Sequence, residues 1–268
     1  MLNPSLPRIA GLVLALSVAK AMPAGADALR DEIAPTGKLR VAIAISPAGG
    51  AFWSRRAEGE GGGYTGVPVA LGRAMAAQLG VPVEYVAHQN SGQIVDAASK
   101  GTWDVTFLPK DPEREGLMAF GPIYEVTDAT YIVKAGSPAT NFATLDQPGV
   151  KIAAVNNTTT MRGAIAHLKN AKVTGYQTYD EISALLTKGE VDAFALSRGQ
   201  LNAMAKKIPG TRVLDETFKQ TVTAVAVPPN HPLALAFASK FMTEVTGNGV
   251  LRTAYDNNGL KDHPIRTK

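Results

Sequence analysis

The chain of 268 residues has no cysteine. That excludes disulfides, thiolate metal sites, a cysteine nucleophile and a lipid-modified N-terminal cysteine. No run of lysine or arginine exceeds two residues, so no nucleic-acid partner is expected. The four histidines, His88, His167, His231 and His263, have no metal-ligand spacing. A Gly-Lys-Ser/Thr phosphate loop is also missing. With these absences, neither a metal nor a cofactor is expected. No apolar run is long enough to span a bilayer.

What is present is ordinary globular material, 45% apolar and 19% charged, with a mild net charge of +4. The N-terminus departs from it. Arg8 precedes Ile9–Ala19, a stretch of small and apolar residues, and two small-x-small sites follow, Ala19-Lys20-Ala21 and Ala24-Gly25-Ala26. A short basic region, a short apolar region and such a site make a secretory signal peptide, with cleavage expected after Ala26. Residues 1–26 carry Arg8 and Lys20 and no acid, so the remaining chain is nearly neutral. An exported chain without disulfides suits a periplasm.

Beyond residue 37 the pattern alternates. Lys38–Ile45, Val81–Ala87 and Trp103–Leu108 read as strands, the last breaking at Pro109. Val67–Leu79, stopped by Gly80, and Ser91–Ser99 read as helices between them. The order repeats in the second half, with strands at Val150–Val155, Lys172–Gln177, Val191–Leu196 and Thr221–Val227. The helices between and after them fall at Met161–Leu168, Tyr179–Lys188, Arg198–Lys206, Leu233–Val245 and Val250–Asp256. Strands alternating with helices predict parallel sheets and an α/β fold. Two such units predict a cleft between them. Thr130–Lys134 and Thr221–Ala224 would be β-rich crossovers that act as hinges. Residues 27–131 and 223–268 would form one lobe, residues 132–222 the other.

One stretch carries the chemistry. Asp111-Pro112-Glu113-Arg114 follows a buried strand and reads as the first turn of a helix. Asp is a good N-cap, and Pro fits the first helical position. Ligands sit outside the carboxyl ends of strands in open α/β sheets. Arg114 would therefore face the cleft, where a guanidinium fork receives a carboxylate. The segment Asn156–Thr160 sits likewise between a strand and a helix. Asn157, Thr158 and Thr159 can receive an anion there or simply cap the helix. Ser197 and Arg198 end another strand in the same fashion. Lys110, Arg162 and Arg198 read first as solvated charges and second as ligand contacts. Asp111 remains open to an amine. Phe52 and Trp53, in the loop after the first strand, either stack on a ligand or pack against their own unit. The literal GxGxxG at Gly61–Gly66 lies too far from a strand to bind a dinucleotide and reads as a hairpin turn.

Together these residues resemble a family. Arg114, Phe120, Pro122 and Tyr124 are similar to the R-x5-F-S-x-P-Y signature of bacterial extracellular solute-binding proteins, family 3. Gly66–Leu71, Asn157-Thr158-Thr159 and Gly189-Glu190-Val191-Asp192-Ala193 resemble further family segments in the same order. The resemblance implies a two-lobed flytrap fold of the type II periplasmic binding proteins, with two crossovers. It implies a periplasmic receptor, expected to be a monomer, that delivers a small solute to the permease of an ABC importer. In the family the positions of Arg114, Thr158 and Thr159 hold the ligand α-carboxylate. The family's amine-binding Asp is Ser197 here, so a carboxylate without an α-amine, an organic acid, is expected alongside amino acids. A dehydratase of the cyclohexadienyl type, using Asp111, Glu113 or Glu115, and a sensor module are the alternatives. Catalysis is not expected.

Overall fold

The computed structural model describes residues 24–46, 50, 52–57 and 63–265. Most of the expected export segment therefore lies outside the described residues. In chain order the first unit runs α1 (Ala24–Ile33), β1 (Leu39–Ile45), β2 (Trp53–Arg56), β3 (Tyr64–Gly66), α2 (Val67–Leu79), β4 (Val83–His88), α3 (Ser91–Asp96), β5 (Val105–Lys110) and α4 (Pro112–Glu115). The long strand β6 (Ala119–Val133) leads to the second unit: α5 (Phe142–Leu145), β7 (Lys151–Val155), α6 (Thr159–His167), β8 (Lys172–Tyr176), α7 (Tyr179–Lys188), β9 (Ala193–Ser197), α8 (Arg198–Ala205) and β10 (Arg212–Val213). β11 (Lys219–Val227) returns to the first unit, and α9 (Pro232–Gly247) and α10 (Val250–Asp256) close the chain.

β1 pairs in parallel with β4 and β5, and β7 pairs in parallel with β8 and β9. These are the two βαβ units that the alternation predicts. β11 and β6 lie antiparallel between them, so the strands run β1-β5-β11-β6-β9-β7 through both lobes. The fold is the two-lobed α/β architecture.

The first lobe buries Leu39, Val41, Ile43, Leu71, Met75, Phe107, Phe241 and Tyr255 beneath α2, α9 and α10. Burying a side chain of this size contributes about 1.5–3 kcal/mol. A second cluster crosses the cleft, joining Phe52, Trp53, Ile94 and Trp103 to Tyr179, Ile182, Phe194 and Leu201.

Three local differences from the pattern have physical reasons. β5 does not break at Pro109 but runs on to Lys110, pairing Thr223 with Pro109 and Val222 with Lys110 across β11. β1 pairs with β5 only at Val105 and Thr106, so no ladder there needs the N–H that proline lacks. Trp53–Arg56, expected as loop, is a strand that pairs antiparallel with β3, the hairpin expected at Gly61–Gly66, with Gly61 and Gly62 outside the described residues. Gly66 ends that hairpin at φ 146°, and a Cβ there would meet the Trp53 carbonyl at 2.9 Å. α1 was not foreseen; its Ile33 plugs the first core.

Candidate functional site

The carboxyl ends of β5, β7 and β9 open toward one another across β6 and β11. At the end of β5 the Asp111 side chain accepts the Arg114 N–H at 3.3 Å, with Pro112 at the first helical position. This capped turn swings the Arg114 side chain back inside, where the residue is 1% exposed. One terminal nitrogen donates to the Pro109 carbonyl at 2.7 Å. The other donates to Ser91 Oγ at 3.0 Å and to the Asn157 carbonyl at 3.2 Å. The Nε–H is buried without an acceptor. Burial pushes this guanidinium down to about 10, against the opposing pull of Asp111. A buried cation with a spare donor favours an anion beside it.

The facing wall is the turn from β7 into α6. Asn157 takes a left-handed φ of 55°, a conformation Asn tolerates better than most residues. Thr158 caps α6, its hydroxyl accepting the Met161 N–H at 3.2 Å and donating to the Val155 carbonyl at 2.7 Å. The N–H groups of Thr159 and Thr160 lie in the first turn, where a helix supplies no partner. Thr158, Thr159, Thr160 and Ser197 all line a cavity of about 20 Å³, together with Ser91 and Pro109 from the first lobe. That volume admits about one water-sized molecule, so the lobes are drawn together over it.

The remaining walls come from the crossovers and the β1–β2 loop. Thr127 on β6 and Thr221 on β11 are cross-strand partners, and both hydroxyls are buried without a partner. Phe52 and Trp53, with ring centroids 4.9 Å apart, also line the cavity, and the Trp53 Nε1–H has no acceptor. Asp128 is the one carboxylate residue in the lining, and its Oδ1 accepts from Gln220 at 3.1 Å. The lining therefore sets a few hydroxyls and one indole N–H among apolar side chains.

The lobes touch around this cavity. Asn90 Nδ2 donates to the Gln177 carbonyl at 2.9 Å, and Asn157 Nδ2 to Asp96 Oδ1 at 2.9 Å. Arg162 on α6 pairs with Asp111 and, at 3.0 Å, with Glu113. Gly92 permits the closest approach, since a Cβ there would stand 2.6 Å from the Asn157 Cβ.

The profile of bacterial extracellular solute-binding proteins, family 3, matches residues 44–260. The chain belongs to this family. Among solved structures, a mutant of ArgBP from T. maritima is 20% identical, with a TM-score of 0.73 over 86% of this chain and 98% of that one. An ancestral amino acid-binding protein, a precursor of cyclohexadienyl dehydratase, is 25% identical, with a TM-score of 0.72 over 85% and 97%. The amino acid ABC transporter substrate-binding protein AbpA from Streptococcus pneumoniae, bound to L-arginine, is 21% identical, with a TM-score of 0.74 over 84% and 95%. No curated protein matches the chain.

In this solute-binding protein Thr158, Thr159, Ser197, Phe52 and Trp53 line one cavity, and Arg114 and Asn157 meet beside it. Five expected residues are outside its lining: Arg114 and Asn157 beside it, and Arg198, Lys110 and Asp111 held elsewhere. Arg198 turns onto the 214–217 loop, donating to the carbonyls of Leu214, Asp215 and Glu216 and to the Thr217 hydroxyl. Both terminal nitrogens are engaged there, outside the cavity lining. Lys110 pairs with Glu115 at 3.0 Å, away from the lining. Asp111 pairs with Arg162, accepts the Arg114 N–H and does not line the cavity. Ser91, Thr127 and Thr221 were missed, because one serine at a helix start and two threonines on strands are unremarkable in sequence.

Proposed function

We propose that this protein captures a small carboxylate-bearing solute between its lobes in the periplasm and delivers it to an ABC importer. Residues 27–131 with 223–268 make one lobe and residues 132–222 the other. The observation that carries this reading is the Arg114 guanidinium, buried with its Nε–H unpaired beside a cavity lined by hydroxyls and apolar side chains. A carboxylate docks on Arg114 of the first lobe. The first-turn N–H groups and hydroxyls of Thr159 and Thr160 complete its shell from the second lobe. Contacts made only when both lobes meet favour the closed form by their differential worth. The permease then reads the closed pair of lobes.

Binding rather than catalysis fits the acids near Arg114. Glu113 is paired with Arg162, Glu115 with Lys110 and Asp111 with Arg162, and none of them lines the cavity. The test is a thermal-shift screen of small mono- and dicarboxylates and amino acids, followed by calorimetry on hits. A tight carboxylate raises the melting temperature by mass action. If only uncharged or cationic solutes do so, the reading fails.

A further inference from the structure

The lobes are joined by more than their two crossovers. Arg162, on α6 of the second lobe, reaches over the cleft and pairs with Asp111 and, at 3.0 Å, with Glu113 of the first lobe. Its Nη1 donates to Asn157 Oδ1 at 3.4 Å, and the Asn157 amide goes on to Asp96 Oδ1 of the first lobe at 2.9 Å. Asn90 Nδ2 adds a bond to the Gln177 carbonyl at 2.9 Å. Apolar packing accompanies these bonds, with Phe52, Trp53 and Ile94 of one lobe in the same cluster as Tyr179, Ile182 and Leu201 of the other. All of these contacts run directly from lobe to lobe.

The two carboxylates on Arg162 are not equal. The Glu113 side chain is 69% exposed, so water screens that pair and it is weak. The Asp111 side chain is only 4% exposed. An ion pair with one end shielded keeps more of its attraction. Deleting Arg162 would leave Asp111 shielded without that cation, and only in the closed arrangement, because opening the cleft returns the carboxylate to water. Asp111 also has a second task. One of its oxygens accepts the Arg114 N–H at 3.3 Å and so shapes the turn that carries Arg114, while the other takes Arg162. The cation of one lobe thus grips the residue that positions the receptor of the other.

We propose that Arg162 is a latch that holds the lobes closed on its own, and that the closed arrangement is the resting one. A solute then enters through a minority open form. Its apparent affinity falls in proportion to the open fraction, as for any site whose competent form is sparsely populated. The latch needs no particular solute, so it goes beyond the carboxylate reading and does not depend on it.

Electron–electron double resonance on solute-free protein tests it. The protein is unfolded in guanidinium chloride, dialysed and refolded to strip any copurified solute. Lys100→Cys and Lys188→Cys, exposed and one in each lobe, carry the spin labels, and the chain has no other cysteine. With Arg162 in place, the distribution should lie mainly at the closed distance that the structure sets. Arg162→Ala should lower the ratio of closed to open at least about tenfold, the range for one charge-assisted bond. A melting curve shows whether this variant is folded, and Arg162→Gln takes its place if it is not. Lys38→Ala breaks an ion pair inside the first lobe and should leave the ratio unchanged. Three results overturn the proposal: a protein with Arg162 that lies mainly at a longer distance, an Arg162 variant within about threefold of it, or an equal shift in Lys38→Ala. No solute is used, so each of these leaves the carboxylate reading standing, and failure of the carboxylate screen leaves the latch standing.

Discussion

Arg114 and Arg198 occupy equivalent places. Each lies in the first turn of a helix after a buried strand, Arg114 third in the helix after β5 and Arg198 first in the helix after β9. Their surroundings divide them. Arg198 meets three carbonyls and a hydroxyl from a loop of its own lobe, and these consume its fork. Arg114 meets one carbonyl of its own turn, one serine and one carbonyl of the opposite lobe, and it keeps a buried donor. The same residue at the same kind of position is thus a clasp for a loop in one lobe and an anion receptor in the other. What decides between them is the supply of acceptors from distant chain, not the local motif.

Substitutions can break or sharpen this contrast. The largest effect is expected from Arg114→Ala, which should cost about 2–5 kcal/mol of carboxylate affinity, the range for truncating one partner of a buried charge pair. Calorimetry checks it, and unchanged affinity would falsify the assignment. Arg198→Ala should reverse the pattern: a stability loss of about 1–3 kcal/mol in chemical unfolding, with ligand affinity intact. A change in affinity without a change in stability would return Arg198 to the site. Gly92→Ala places a methyl against Asn157 and should hold the lobes apart, seen as a larger radius in X-ray scattering and roughly tenfold weaker binding. Glu113→Ala removes an exposed ion pair and should shift stability by less than about 1 kcal/mol.

The smallest effect is a pH effect in the second lobe. Desolvation pushes the Asp192 carboxyl up, but bonds from Lys134 and the Lys151 N–H, with the charges of both lysines, hold it below its ordinary 3.8. Its folded value is depressed, so its contribution is complete above about 3.8 and fades as pH falls through the lower folded value. Asp192→Asn should be less stable than wild type near neutrality, and the gap should close in acid. A melting-temperature gap that stays constant with pH would show that the carboxylate charge is irrelevant.

The order of strands and helices was legible because it is local. Val67–Leu79 is helical over the span set by its apolar residues and by Gly80, which takes the left-handed cap. The Asp111-Pro112 turn was legible for the same reason. The hairpin turn at Gly61–Gly66 was legible too, but the strands it joins were not, since they are four and three residues long and follow no alternation. The fates of Arg198, Lys110 and Asp111 were hidden because their partners, the 214–217 loop, Glu115 and Arg162, are found by tertiary approach. Thr127 and Thr221 read as ordinary strand formers. Only their register, each opposite the other with no partner for either hydroxyl, marks them out.

That register has a mechanical side. β6 and β11 are bonded to each other from Thr127–Thr221 to Thr223–Glu125 without interruption, and the ladder slips only near Ala224. Two strands tied edge to edge form a ribbon that resists shearing and splaying but yields to twist, and a bulge concentrates bending where pairing lapses. If the lobes rock, this ribbon favours twist over shear, and Thr127 and Thr221, paired inside it, would travel less than the rims of the cleft.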